Sequence, residues 1–411
     1  MGRQLYDAAR HRPAVGAPWC AGAARTAIER IVADTRAAFT PHGLWPIHPD
    51  DAEGDETGPH CSVYMGAGGV MWALEQLARE GAVPAGPDFT HHLPEVLQRN
   101  RRDLSSDTWR RLMGAGWHTR SWLIGDAGLL FLDQRTTRDP TRRPQLLSDL
   151  AEVVELNIDD PAREQVWGSP GTMLAAAALH QAGAPGPWAK LYRASADALE
   201  AALAWDEAFE AEVWTQELYG RRTQYLGAGH GFAGAAHALI VGRDLMDAGR
   251  WSALSQRLAA SLRTTAVRGD AGVNWPIFGR QPIDKPYLLQ HCHGAPGVIS
   301  SLSELDQDID DLLLDAGRLI WTAGPLTKGS GLCHGTAGNG LALLKLFART
   351  GDELWLDRAR VFAMDALATT EAEAVRSGRR RHSLWTGDIG VACYLWGCVT
   401  GAARFPSIDL W

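Results

Sequence analysis

Two Cys-His-Gly triplets, Cys292-His293-Gly294 and Cys333-His334-Gly335, bring thiol and imidazole donors into one chain. Borderline-soft Zn²⁺ prefers such sulfur and nitrogen ligands. The two cysteines lie 41 positions apart, from 292 to 333, which is too far for a compact zinc finger or ribbon. The sequence therefore predicts a zinc site whose two halves are brought together by a larger fold.

A repeated glycine hinge indicates what that fold is. The pattern G-x-x-G, followed at once by an apolar run, occurs seven times, at 66–69, 125–128, 168–171, 231–234, 294–297, 335–338 and 387–390. Runs such as GLALLKLFART are apolar around the whole helix, whereas the segments between them, such as WLDRARVFAMDALATT, have one polar face. The repeat predicts an all-α fold of seven helical hairpins, each with a buried inner and an amphipathic outer helix. No run has the alternation that a sheet requires.

A closed ring is favoured over an open solenoid. An open array needs polar outer faces on its terminal repeats, yet the last inner run, VACYLWGCV, is as apolar as those in the middle. Closure would gather the hinges at one mouth, with His230, Cys292 and Cys333 beside it and Trp167 and Trp385 as aromatic walls. We expect a single domain over 1–411, in which residues 1–60 add either a helix that closes the ring or a flap over its mouth.

Composition narrows the class of protein. The net charge of −8 and the isoelectric point near 6.0 give no basic footprint for nucleic acid. The sequence contains no apolar stretch of about 18 residues, so it predicts no membrane span, and the N-terminal stretch does not resemble a signal peptide. Six cysteines in 411 residues are few for a disulfide scaffold, so we expect a reducing, cytoplasmic setting that leaves Cys292 and Cys333 free for metal.

The hinges and triplets together resemble the lanthionine synthetase C-like (LanC-like) family, and most closely its glutathione-binding, eukaryotic-type branch. The similar segments include YLGAGHGFAG (225–234), LLQHCHGAPGVI (288–299) and GSGLCHGTAGN (329–339), and the likeness covers about residues 60 to 392. The resemblance implies an (α/α)7 double toroid that holds one zinc ion.

The resemblance also implies the zinc ligands, which here are Cys292, Cys333 and His334. Three protein ligands leave the fourth tetrahedral position open, as in catalytic zinc sites. In the alternative arrangement, His293 or His230 closes the coordination shell and the zinc is inert. The reaction implied is addition of a thiol, with glutathione expected, to dehydroalanine or dehydrobutyrine residues of a protein or peptide.

Addition of a thiol leaves an enolate that must be protonated at the α-carbon. His230 is the candidate acid that the resemblance implies, and histidine is the side chain best matched to this role at neutral pH. A histidine at the start of a helix can instead have only a structural role, in which it forms a hydrogen bond with a neighbouring turn. Glu164 stands where bacterial cyclases of the family carry an aspartate, and an outer carboxylate commonly orients an imidazole. We expect Glu164 to have a catalytic or orienting role.

Several cations match the family's glutathione-binding positions. Lys328, five residues before Cys333, is the strongest match, and a thiol with two carboxylates would favour such cations. Looser matches are Arg3 and one arginine of the run Arg379, Arg380 and Arg381.

Other functions remain open from the sequence. A cyclase that forms thioether rings within a modified peptide is one, although Leu288 replaces the arginine that cyclases carry four residues before the fifth-repeat cysteine. A non-catalytic zinc-containing scaffold that binds glutathione or docks a partner is another. A sugar enzyme of the (α/α)-barrel type is disfavoured by the seven hinges and the Cys-His triplets.

Overall fold

The computed structural model describes residues 4–14, 18–52, 58–113, 118–279 and 286–410. Arg3 lies outside the described residues, so its expected role in substrate binding stays a prediction.

Seven inner helices begin directly after the predicted hinges, and the first glycine of each hinge is the residue that precedes the helix. These helices are α2 (Ala67–Arg79), α5 (Asp126–Thr136), α7 (Ser169–Gln181), α9 (Phe232–Val241), α11 (Ala295–Leu302), α13 (Thr336–Thr350) and α15 (Asp388–Thr400). Almost every residue of α9 and α11 is buried, and so are the first eleven residues of α13, as their apolar sequences predict.

Seven amphipathic outer helices alternate with the inner ones. They are α1 (Ala21–Ala37), α3 (Leu93–Leu104), α6 (Arg143–Leu156), α8 (Trp188–Ala201), α10 (Ala248–Thr265), α12 (Asp310–Ala323) and α14 (Glu353–Ser377). A short helix, α4 (Asp107–Met113), follows α3, and single 3₁₀ turns occur at Ala8–Arg10, Thr90–His92 and Arg243–Leu245. None of the described helices is both long and apolar enough to cross a bilayer.

Three small antiparallel hairpins interrupt the helical pattern, which the sequence did not predict. They pair β1 (Ala204–Asp206) with β2 (Ala211–Val213), β3 (Gln216–Leu218) with β4 (Arg221–Thr223), and β5 (Val267–Gly269) with β6 (Gly272–Asn274). Strands of three residues are too short to produce a visible alternation of apolar and polar residues. The fold class is unaffected, because each hairpin lies in a connection between helices.

The second glycine of every hinge packs against the backbone of its own repeat. At each of the seven positions, an added Cβ would lie 1.9–2.3 Å from the carbonyl oxygen six residues earlier. At Gly297 that oxygen belongs to His291, at 1.9 Å. Real Cβ atoms do not approach that closely, so only glycine permits the turn.

Replacing Gly297 by alanine is therefore expected to destabilise the protein by about 1–3 kcal/mol, the usual cost of overpacking a buried site. Chemical denaturation monitored by circular dichroism would measure the loss. Gly22→Ala in α1 is the matched control, because its Cβ would meet only the Cys20 sulfur, at 3.9 Å. The control should be neutral or slightly stabilising, and equal losses in both variants would contradict the packing argument.

Equivalent residues of the seven repeats form a ring of backbone hydrogen bonds. Each stands two positions before the first hinge glycine, and six of the seven donate their N–H to the carbonyl of the equivalent residue in the next repeat. The seventh, Val166, donates its N–H to the Glu164 carboxylate instead. Six such bonds, of 2.9–3.3 Å, run in order through Gly229, Cys292, Cys333, Trp385, Tyr64, Leu123 and Val166. The bond from Trp385 to Tyr64 joins the last repeat to the first, which confirms that the ring is closed.

The described N-terminal residues contact the ring of hairpins in two places. Helix α1 packs against α15 and α14, so it supplies an outer helix at the junction of the last and first repeats. Residues 4–14 cross the loop before the sixth hinge: the Arg12 N–H donates to the Pro325 carbonyl, and the Thr327 N–H donates to the Arg10 carbonyl.

Candidate metal centre

The backbone ring brings the two predicted cysteines side by side. The Cys292 N–H donates to the Cys333 carbonyl at 3.1 Å, and His334 follows directly. The two sulfurs and a ring nitrogen of His334 all lie within 4.8 Å of one another. Among the described residues, this is the one cluster of three or more His, Cys, Asp or Glu donors compact enough for a metal ion.

Glycines let the neighbouring repeat close over this cluster. The Gly229 N–H donates to the Cys292 carbonyl at 3.3 Å. A Cβ at Gly227 would lie 2.1 Å from the same oxygen, so a larger residue there would push the fourth and fifth hinges apart. Gly294, directly after the first triplet's histidine, has φ of 106°, which favours glycine.

The electrostatics of the cluster suit a metal that binds thiolate and neutral imidazole. Hydrogen bonds from the Cys333 thiol and from the Gln290 amide lower the pKa of the Cys292 thiol, against the opposing effect of burial. Burial, helped by the positive charges of Lys328 and Arg381, lowers the pKa of His334 to about 4. A neutral His334 at physiological pH keeps a ring nitrogen available as a ligand. The donor set therefore fits zinc.

Gln290 connects the cluster to the N-terminal segment. Its amide nitrogen donates to the Cys292 sulfur at 3.0 Å, and its amide oxygen accepts from the Arg10 guanidinium at 3.3 Å. Sequence reasoning did not identify either residue, because the contact depends on how the N-terminal segment crosses the mouth.

His230 and Glu164 meet although they belong to different repeats. The His230 Nδ1 and a Glu164 carboxylate oxygen are 2.9 Å apart, and Glu164 is fully buried. The same carboxylate also accepts the N–H groups of Val166 and Trp167, which fix its position. Burial alone would lower the pKa of His230, but the bond to Glu164 and its negative charge outweigh burial and raise it.

His293, considered as a fourth ligand, does not belong to the cluster of three donors, and neither does His230. The His293 ring lies 6.1 Å from the His230 ring and 6.0 Å from the Tyr225 ring. Burial and the nearby His230 charge lower the pKa of His293 to about 3. The cluster therefore contains three candidate ligands from the described residues, and neither of the two other histidines is among them.

A cavity of about 830 Å³ opens on the His334 side of the cluster. Its charged lining residues are Asp50, Asp51, Lys328, Glu373, Arg376 and Arg381, and Tyr64 and Trp385 supply stacked aromatic rings 5.5 Å apart. Lys328 forms no ion pair with any described residue, and its charge acts on the pKa of both cysteines and of His334.

The arginines predicted to bind substrate differ in position. Arg381 lines the cavity, but its guanidinium already forms a two-point ion pair with Asp51. Arg379 is exposed and is not part of the cavity lining. Arg376, which sequence reasoning did not single out, does line the cavity, and Asp50 is its distant partner at 3.9 Å.

The side of the cluster next to His230 is aromatic. The Tyr219 ring stands edge-on to the His230 ring at 5.8 Å, and the Tyr219 hydroxyl accepts a hydrogen bond from the Trp167 indole at 3.1 Å. Trp109 of α4 packs against Trp167 at 5.9 Å, and Tyr225 lies 6.3 Å from His230. Trp385 therefore lines the cavity beside His334, whereas Trp167 packs on the His230 side and does not line that cavity.

Comparison with protein families gives a match over most of the chain. The family model described as "Lanthionine synthetase C-like protein" matches residues 60–410.

Two curated relatives resemble part of the chain. It is 32% identical over 212 residues to "Glutathione S-transferase LANCL1" of Danio rerio, a match that covers 48% of this chain and 47% of the relative. It is 28% identical over 204 residues to "LanC-like protein GCL1" of Arabidopsis thaliana, a match that covers 46% of this chain and 44% of the relative. Each match thus spans about half the length of the relative.

Among solved structures, the chain is similar to "Nisin cyclase", with a TM-score of 0.58 at 15% sequence identity. The superposition covers 94% of this chain and 97% of that one. At this low identity the likeness concerns the fold alone, and it agrees with the closed ring of helical hairpins described above.

Proposed function

Because this chain belongs to the lanthionine synthetase C-like family, we propose that it is a zinc-dependent enzyme that forms carbon–sulfur bonds. The reaction is addition of a thiol, glutathione in the first instance, to dehydroalanine or dehydrobutyrine residues of proteins or peptides. The relative named as a glutathione S-transferase supports glutathione as the thiol.

The observation that supports the proposal is the compact trio of Cys292, Cys333 and His334, to which no further His, Cys, Asp or Glu of the described residues belongs. These three residues would hold the zinc. When bound, zinc would supply the positive charge that converts a weakly acidic thiol into a thiolate at neutral pH. Three protein ligands would leave a fourth position on the zinc for the sulfur of a substrate, as in catalytic zinc sites.

His230 supplies the proton that completes the reaction. As the new S–C bond forms at the β-carbon, the electrons of the double bond move onto the neighbouring carbonyl and give an enolate. The His230 imidazolium then donates its proton to the α-carbon, and the carbonyl double bond is restored. Glu164 supports this role because its carboxylate stabilises the protonated ring, which raises the pKa of His230.

The cavity beside His334 is the proposed glutathione pocket. Lys328, which forms no ion pair with any described residue, and Arg376, whose partner Asp50 is 3.9 Å away, can donate hydrogen bonds to the two carboxylates of the tripeptide. Arg381 is already paired with Asp51. Arg381 then acts mainly by compensating the negative charge of Asp51.

Two other functions compete with this one. An intramolecular cyclase would need no pocket for a free thiol, and Leu288 stands where cyclases carry arginine. A non-catalytic scaffold would bind zinc and glutathione without using His230. The Glu164–His230 pair at the cluster favours the enzyme over the scaffold, since binding alone does not require a proton donor.

Incubating the zinc-loaded protein with glutathione and a dehydroalanine peptide tests the proposal. We expect the peptide to gain the mass of one glutathione, as seen by mass spectrometry. If zinc and glutathione bind but no adduct forms, the scaffold gains support. If only peptides that carry their own cysteine react, the cyclase does.

Replacing Lys328 by methionine is expected to raise the KM for glutathione by roughly 10-fold, which corresponds to the loss of one charge-assisted hydrogen bond. The reaction with 2-mercaptoethanol, which lacks carboxylates, should be unaffected. Initial rates with both thiols would measure the difference. Arg379→Met is the matched control, because this exposed arginine does not line the cavity; an equal rise in KM in the control would contradict the pocket assignment.

A further inference from the structure

The hairpin β3–β4 carries Tyr219 at its tip, in an unusual backbone conformation. The hairpin has a two-residue turn, Tyr219-Gly220, with φ of 54° and 68°. Such turns favour asparagine, aspartate or glycine at their first position, because a bulky residue with positive φ is strained. A tyrosine at this position therefore indicates a function of its side chain, because the turn itself does not favour this residue.

The contacts of Tyr219 prepare its hydroxyl to donate a hydrogen bond. The Trp167 indole N–H occupies the oxygen as a donor, at 3.1 Å, so the hydroxyl proton is available for another group. No described residue lies within hydrogen-bond distance to accept that proton. Burial raises the pKa of Tyr219, so the hydroxyl remains protonated at neutral pH.

The position of Tyr219 relates this donor to the candidate reaction centre. Its ring is edge-on to that of His230, at 5.8 Å between centroids, and it is close enough to Glu164 and Cys333 for their charges to act on its pKa. Tyr219 therefore lies on the His230 side of the metal cluster, and it is not part of the cavity that Lys328 lines.

We propose that this aromatic side binds the dehydroamino acid acceptor, and that the Tyr219 hydroxyl donates a hydrogen bond to the acceptor's carbonyl oxygen. The inference rests on the proposed function. Negative charge develops on that oxygen when sulfur adds to the β-carbon, and it disappears when His230 protonates the α-carbon. A donor held ready by Trp167 stabilises the enolate without having to reorganise. The acceptor is thus an unsaturated residue within a peptide, with its amide carbonyl towards Tyr219.

Tyr219→Phe keeps the ring and the backbone and removes the donor. With glutathione and a dehydroalanine peptide, we expect kcat to fall roughly 100-fold, as for loss of one oxyanion donor. Zinc content and the affinity for glutathione, measured by calorimetry, should stay within about twofold. Tyr192→Phe is the matched comparison, because Tyr192 is also buried, but its hydroxyl donates to the Ala238 carbonyl and it does not belong to the aromatic side beside His230; it should retain kcat within a few-fold.

A second variant separates catalysis from structure. Tyr219→Asn places a preferred residue in the turn, so we expect an unchanged or higher melting temperature together with a loss of kcat similar to that of Tyr219→Phe. A purely structural role predicts the reverse, with loss of stability and glutathione binding.

Several outcomes would overturn the inference. Full kcat in Tyr219→Phe does so while leaving the proposed function intact, and so does an equal loss of kcat in Tyr192→Phe. If the wild-type protein forms no adduct, the proposed function fails first, and the role of Tyr219 fails with it.

Discussion

Replacing Cys292 or Cys333 by alanine is expected to abolish both metal binding and adduct formation. Each substitution removes one of three donors that lie within 4.8 Å of one another. Loss of an outer hydrogen-bonding partner already costs about 10- to 100-fold in metal affinity, so loss of a ligand should cost more. Metal analysis after dialysis should show zinc falling from about one ion per chain to a small fraction, given the strength of thiolate sites.

The matched control for these variants is Cys61→Ala. Cys61 is also buried, yet it is not one of the three clustered donors. The control loses a thiol of the same size and should keep its zinc and its activity. A wild-type zinc content in Cys292→Ala would remove the metal centre and, with it, the proposed enzyme.

Replacing His230 by asparagine should lower kcat by about 10²–10⁴, the usual contribution of a positioned acid. Zinc content and glutathione affinity should persist, because His230 is not among the three clustered donors. Single-turnover assays with a dehydroalanine peptide would measure the loss. Activity equal to that of the wild type would assign the proton donation to another group. If the wild-type protein were itself inactive, the scaffold would be favoured.

The pH dependence provides a second measure of the same residue. His230 must be protonated to act, and the Glu164 carboxylate raises its pKa, so the rate should decline only as the pH rises through this raised value. Glu164→Gln removes the negative charge, and the pKa of His230 should fall. The declining limb of the pH–rate profile should therefore move to lower pH. An unmoved limb would show that His230 is not the acid.

The helical framework could be predicted from the sequence because its signals are local and repeated. All seven inner helices begin at the predicted hinges, since each G-x-x-G marks a place where the backbone packs too closely for a side chain. The adjacency of Cys292 and Cys333 followed from the same repeat, because both cysteines stand two positions before a hinge glycine. Closure of the ring was also predictable, from the apolar character of the last inner helix.

The substrate-facing residues could not be predicted in the same way. Arg376, Arg379 and Arg381 lie in one short basic segment, and only the path of the chain decides which of them reaches the cavity. Charge alone did not reveal that Asp51, more than 300 residues earlier, already pairs with Arg381. Tyr219 was missed because its hairpin has strands of only three residues, and nothing local relates it to His230.

The order in which the chain is made has a consequence for the backbone ring. The Cys333 N–H donates to the Trp385 carbonyl, so the second cysteine is fixed only after the seventh hinge has been synthesised. Helix α1, made first, must in turn wait for α15, made last, before it can pack. A ribosome-bound chain that still lacks α15 therefore contains both Cys292 and Cys333, but the ring that holds them side by side has not yet closed. We therefore expect the proposed zinc to bind as a late step of maturation, after α15 has been made and the ring has closed.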